Sequence, residues 1–118
     1  MKFQSKNYRD DHAYVEVGTH PDGTPKLTVR GRYRQILCVA TVCGVPNVQP
    51  SPGHVLVPAY GELSGVLRSL QDNGVVGRTK QIHETGIHTR DPLSSRPVHE
   101  VRLLNPEGFT EQVAGSLL

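Results

Sequence analysis

The stretch from Pro58 to Gly74, PAYGELSGVLRSLQDNG, constrains the fold most, because it is the segment whose apolar residues are clearly spaced for a helix. Tyr60, Leu63, Val66, Leu67 and Leu70 recur at three- and four-residue steps and fall on one face at roughly 100° per residue. That face is expected to pack on a sheet. Pro58 suits a helix start, Glu62 lies in the first turn near the positive dipole end, and Asn73-Gly74 supplies a left-handed stop. The opposite side carries Gly61, Gly65, Arg68 and Asp72. Each glycine costs a helix about 1 kcal/mol against alanine. They mark either a tolerated solvated surface or a place of close backbone approach, a docking face for a partner built on Gly61, Gly65 and Arg68.

Around this helix the chain reads as strands. From Ala13, Val15 and Val17 alternate with Tyr14 and Glu16, the pattern of a half-buried strand. His20-Pro21-Asp22-Gly23-Thr24-Pro25 is a turn, and a hairpin follows. Lys26 to Arg34 resumes the alternation, with Leu27, Val29, Gly31 and Tyr33 on one side and Thr28, Arg30, Arg32 and Arg34 on the other. Gln35 to Val42 is apolar on both faces and predicts a central, covered strand. Gly44 to Gly53, rich in proline and glycine, is a loop. His54 to Val57 is a short strand feeding the helix, Val75 to Ile82 a strand with Gly77 as a bulge, and Val98 to Leu104 its return after a polar connection over 83–97.

The expected architecture is therefore α+β: a small antiparallel sheet or partly open barrel, in the order β-β-β-α-β-β, with one main helix packed on it. Residues 13–104 are expected to form the domain, 1–12 an arm that is flexible or ordered by a partner, and 105–118, which lie outside the residues described below, a tail that either frays or adds a short helix. This order resembles the five-stranded barrel of oligonucleotide-binding folds, in which a helix lies between the third and fourth strands. Within it, VVGRTKQ and the returning VHEVRLL are loosely similar to the last hairpin of bacterial single-stranded-DNA-binding proteins. The likeness is one of topology, over about a quarter of the chain.

With 118 residues the chain fits one domain with a modest core. It has no tryptophan and few other aromatics, so that core rests on Val, Leu and Ile. The longest mainly apolar run, Ile36 to Val42, falls far short of the roughly 20 residues that span a bilayer. The polar start MKFQSKNYRDD is not a secretory signal, so the expectation is a cytoplasmic protein without a membrane partner. Charge is uneven: residues 26–102 hold ten basic against five acidic residues, while the formal net charge is +2. A basic body favours a polyanionic or acidic partner.

The sharpest candidate site is the row Arg30, Arg32, Arg34, whose alternate spacing sets residues about 6.6 Å apart on one strand face. With Arg78 and Lys80 on the same sheet it forms a positive groove for single-stranded nucleic acid, and Tyr33 offers a stacking plane if the strand twists. The competing interpretation is an ordinary solvated sheet face. Cys38, Cys43, His83 and His88 could together supply four zinc ligands, but their spacing matches no established zinc pattern, and no metal or other cofactor is assigned. His83/Glu84 and His99/Glu100 are adjacent on strands and so face opposite ways, which disqualifies each pair as a catalytic dyad. Without a nucleophile elbow, phosphate loop or metalloprotease motif, the sequence points to a non-enzymatic binding protein. Its partner is expected to be nucleic acid or, alternatively, an acidic protein bound by an inhibitor or accessory subunit of phage or mobile-element type. A homodimer through an edge strand is compatible with both.

Overall fold

The computed structural model describes residues 1–45, 48–85 and 96–104. It is an α+β arrangement of small antiparallel sheets with one short helix. The first sheet has the order β3-β4-β5, from Tyr14–Thr19, Pro25–Arg30 and Ile36–Val39. The second has the order β6-β8-β7, from His54–Pro58, Arg96–Leu103 and Val76–Thr85. Near its N-terminus the chain adds a two-stranded hairpin, β1 (Phe3–Gln4) and β2 (Arg9–Asp10). The described strands thus pair as two three-stranded sheets and a hairpin rather than as one five-stranded sheet.

One core joins these parts. Val15, Leu27, Val29, Cys38 and Ala40 come from the first sheet and its exit, Val55, Val57, Val76, Val101 and Leu103 from the second, and Val66, Leu67 and Leu70 from the helix. The alternation read in β3 and β4 holds: Val15 pairs with Val29, and Val17 with Leu27. The His20–Thr24 turn closes with Gly23 N–H on His20 O, and the Asp22 carboxylate accepts from the Thr24 hydroxyl and N–H. His20 itself is buried, its Nε2 paired at 2.8 Å with Thr41 Oγ1, which also accepts the Leu27 N–H at 3.1 Å.

The helix is shorter than its periodicity implies. Pro58 ends β6, a 3-10 turn covers Gly61–Leu63, and α1 runs only over Val66–Asp72. The break falls at Gly65, whose φ of 86° puts it in the left-handed region a helix interior cannot use. Tyr60 and Leu63 are half-buried, whereas Val66, Leu67 and Leu70 are buried as expected. The stop at Asn73-Gly74 has the paired bonds of a Schellman motif, Gly74 N–H to Gln71 O and Val75 N–H to Leu70 O.

The opening residues, expected as an arm, fold back onto this helix. Phe3 is fully buried in the core, Gln4 N–H donates to Ser69 Oγ, and Asn73 Nδ2 donates to Lys2 O. The polarity of the segment hid this role, because a single buried aromatic carries it.

Gln35 to Val42, expected as a central strand, also differs. β5 pairs with β4 alone and is an edge strand of its sheet.

Candidate functional site

The proposed arginine row does not form, because the chain leaves β4 at Arg30 and reverses. Gly31 N–H donates to Gln35 O, Arg34 N–H donates to Gly31 O, and Arg34 takes a φ of 64°. Nothing in RGRYRQ announces a turn, since the left-handed position is filled by arginine rather than by glycine or asparagine. Two guanidinium groups also meet the chain's own acids. Arg30 Nε pairs with Glu16 Oε2 on the neighbouring β3, and Arg30 Nη1 donates to Arg34 O. Arg32 donates its N–H to Asp10 Oδ2 at 3.1 Å and sets its Nε 3.9 Å from Oδ1. The Arg32 and His12 N–H groups hold the Asp10 carboxyl below its ordinary range.

Tyr33 gains from the same reversal. Strand parity set it opposite the arginines, but at the apex of the turn it stands between exposed Arg32 and Arg34 and is itself 80 % exposed. Its N–H is held by Gln35 Oε1 at 3.0 Å, and Ile36 beside it is 58 % exposed. The turn is braced by Asp10, Gln35 and its own backbone, so Tyr33 projects from a preorganised support.

Arg78 and Lys80 lie on β7, in the other sheet, so the single groove combining them with Arg30, Arg32 and Arg34 is not built. Arg78 is exposed, with no partner among the described residues. Lys80 belongs instead to a polar cluster around Glu100, a buried carboxylate that sequence reading weighed only against its neighbour His99. Glu100 Oε1 meets His83 Nε2 at 3.1 Å, and Oε2 accepts the Ser51 N–H at 3.2 Å with Lys80 Nζ 3.8 Å away. Lys80 Nζ also donates to Ser51 Oγ at 2.6 Å. Burial alone would raise the Glu100 carboxyl, but the hydrogen bonds from His83 and Ser51 and the Lys80 charge outweigh it and hold the group below its ordinary value.

This cluster joins a serine, a lysine and a histidine around a carboxylate, yet its geometry opposes nucleophilic chemistry. A lysine that activates a hydroxyl has to be desolvated and set apart from acids. Lys80 is about half exposed, close to Glu100, and donates into the Ser51 oxygen lone pair that would attack. The cluster fastens the loop before β6 to β7 and β8.

The glycine face is partly occupied by the chain itself. A Cβ at Gly65 would stand 3.2 Å from Ser5 Cα, and Lys6 N–H donates to Ser64 O. The close approach expected there is therefore made by the N-terminal hairpin. Gly61 faces open space, and Arg68 lines an open groove of about 670 Å³ with Lys2, Gln4, Ser69 and Asp72.

Of the zinc candidates, Cys38 is buried in β5, where burial pushes its thiol up to about 11, while Cys43 is half-buried and His83 faces Glu100 in the other sheet. His88 lies outside the described residues. Among the described residues no group of three or more His, Cys, Asp or Glu side chains is placed to hold a metal ion, and no helix is long and apolar enough to cross a membrane.

No family model, curated protein or solved structure matches the chain. The functional reading therefore rests on its own side chains.

Proposed function

We propose that this chain is a small non-enzymatic binding protein, acting in the cytoplasm, that engages single-stranded nucleic acid through the turn between β4 and β5. The observation that carries the reading is Tyr33, 80 % exposed on a braced turn between Arg32 and Arg34. A base stacked on such a ring is worth about 1–3 kcal/mol whatever its identity, and the flanking guanidinium groups would take the phosphates. Of the expected contacts, Tyr33, Arg32 and Arg34 remain at the centre. Arg30 supports the turn through Glu16, and Arg78 and Lys80 lie on the other sheet. The likeness to oligonucleotide-binding barrels belongs to this proposal as an analogy of topology only.

With Arg30 and Arg32 partly neutralised, each chain offers only two or three phosphate contacts, and binding should be weak. On a single strand each contact contributes about −0.7 to the slope of log affinity against log salt, so the expected slope is about −1.5 to −2. Fluorescence anisotropy with a labelled single-stranded oligonucleotide across a salt series tests the reading. Tyr33→Ala should lower affinity by about 5- to 150-fold, matching the loss of one stack. A wild-type protein that binds no oligonucleotide at low salt would end the proposal.

The second reading, a protein partner, is favoured by Ile36, whose exposed aliphatic side chain beside a tyrosine and arginines fits the anchor composition of protein interfaces. A partner complex that survives both nuclease and high salt would support it over the first.

A further inference from the structure

We propose that Asn73 is a site of spontaneous deamidation that the N-terminal hairpin holds in check, and that its conversion to aspartate loosens the hairpin from α1. Of the four asparagines, Asn7, Asn47, Asn73 and Asn105, only Asn73 precedes a glycine. In such a pair no Cβ obstructs the following backbone nitrogen as it approaches the asparagine side chain. The Gly74 nitrogen bonds to Asn73 Cγ, the Cγ–Nδ2 bond breaks, and the displaced proton leaves with the amide nitrogen as ammonia. One water then opens the five-membered imide at either carbonyl, leaving aspartate or its β-linked isomer. The net change consumes one amide and one water and yields one carboxylic acid and one ammonia, so it needs no oxidant or cofactor.

The folded chain opposes the first step. Asn73 has a ψ of 4°, which sets the Gly74 nitrogen beside Asn73's own nitrogen rather than beside Cβ, so the ring cannot close without rotation about Cα–C. That rotation would break the Schellman bonds, Gly74 N–H to Gln71 O and Val75 N–H to Leu70 O. The side-chain amide is held as well, with Nδ2 donating to Lys2 O and to Ser69 O, both at 2.8 Å. Both partners are carbonyl oxygens, which only a donor can satisfy.

The product cannot remake these contacts. A carboxylate at position 73 is ionised at neutral pH and only accepts hydrogen bonds, so the Lys2 and Ser69 carbonyls lose their donor and face an anion. Lys2 and Arg68 line the same groove and can offset the new charge, but the carboxylate itself has no proton to give. The β-linked isomer also lengthens the main chain by one carbon inside the Schellman stop. Either product weakens the tie between α1 and the start of the hairpin, and the change does not depend on what Tyr33 binds.

Peptide mapping tests the proposal. The full chain is aged at mildly alkaline pH, folded or unfolded in guanidinium chloride, and the tryptic peptide 69–78 is followed for the mass increase of amide to acid. Conversion should be tenfold or more faster in the unfolded chain. Ser69→Ala removes the acceptor of the Gln4 N–H but keeps the Ser69 carbonyl, and should speed conversion in the folded chain by about threefold or more with its circular dichroism retained. In Asn73→Asp, hydrogen exchange at the Gln4 and Lys6 amides, which donate to Ser69 Oγ and Ser64 O, should accelerate by about tenfold or more. Equal conversion in the folded and unfolded chain overturns the inference. An unaltered rate in Ser69→Ala, or unaltered exchange in Asn73→Asp, overturns it too.

Discussion

The two three-stranded sheets solve one problem in different ways. Each places polar groups behind strands that must be tied to a following or preceding loop. The first uses a neutral pair, buried His20 on Thr41, and leaves an uncharged edge at β5. The second uses a charged cluster, Glu100 with His83, Lys80 and the Ser51 N–H, and presents a charged, twice-shifted edge at β7. A neutral tether costs little to bury but contributes little, whereas a buried carboxylate is costly and becomes indispensable to the groups around it. The second sheet should therefore be the less tolerant of polar substitution and the first the freer to bind.

The largest expected effect is at Glu100. Glu100→Ala leaves the Ser51 N–H and His83 without their acceptor and Lys80 without its counter-charge, and the loss should be about 2–3 kcal/mol, below the usual range for a broken buried pair because Lys80 is half exposed. Urea unfolding measures it, and a change under 1 kcal/mol would erase the contrast between the sheets. Thr41→Val comes next, at about 1–2 kcal/mol, because it keeps the shape but strands the Leu27 N–H and the His20 ring. Thr41→Ser retains the hydroxyl and should cost clearly less.

Acid sharpens the same comparison. Burial holds the His20 ring below its ordinary value, with Lys26 adding to the effect and Asp22 opposing it. Above about pH 6.5 neither the folded nor the unfolded chain protonates this ring, so its contribution is complete; below that the unfolded chain takes up a proton the folded one resists, and stability falls. Glu100, held below its ordinary value, contributes fully above about pH 4.5 and loses that contribution as pH falls further. Stability profiles should show two descents in that order, and His20→Gln should flatten only the upper one. The smallest effect is at the edges. Lys80→Gln and Ile36→Lys should each shift the free energy of their edge strand's environment little, Ile36→Lys staying within about 0.5 kcal/mol because the side chain is exposed.

The sequence revealed whatever depended on neighbours along the chain. The alternation of β3 and β4, the Asp22-Gly23 turn, the buried stripe Val66, Leu67, Leu70 and the Asn73-Gly74 stop were all legible from local spacing. Pairings between distant residues were not. Arg30 meets Glu16 and Arg32 meets Asp10 across strands, so a row of three cations in the sequence became a turn partly neutralised by acids 14 and 22 residues away. Gly65 was legible as an anomaly, but its cause, the backbone of Ser5, is distant from it in the sequence. Tyr33 was picked out and then given the wrong direction, because period-two geometry stops at Arg30.

The hairpin that carries Phe3 has a consequence for how the protein is made. Its anchors, Ser69 and Asn73, follow it by some 65 to 71 residues, so the hairpin cannot find its place until they have been made. At synthesis rates of about 5–20 residues per second, that aromatic side chain stays in water for several seconds on the ribosome. Distant closures of this sort slow folding. A chaperone that grips apolar side chains of a nascent polypeptide would meet this one in its exposed state.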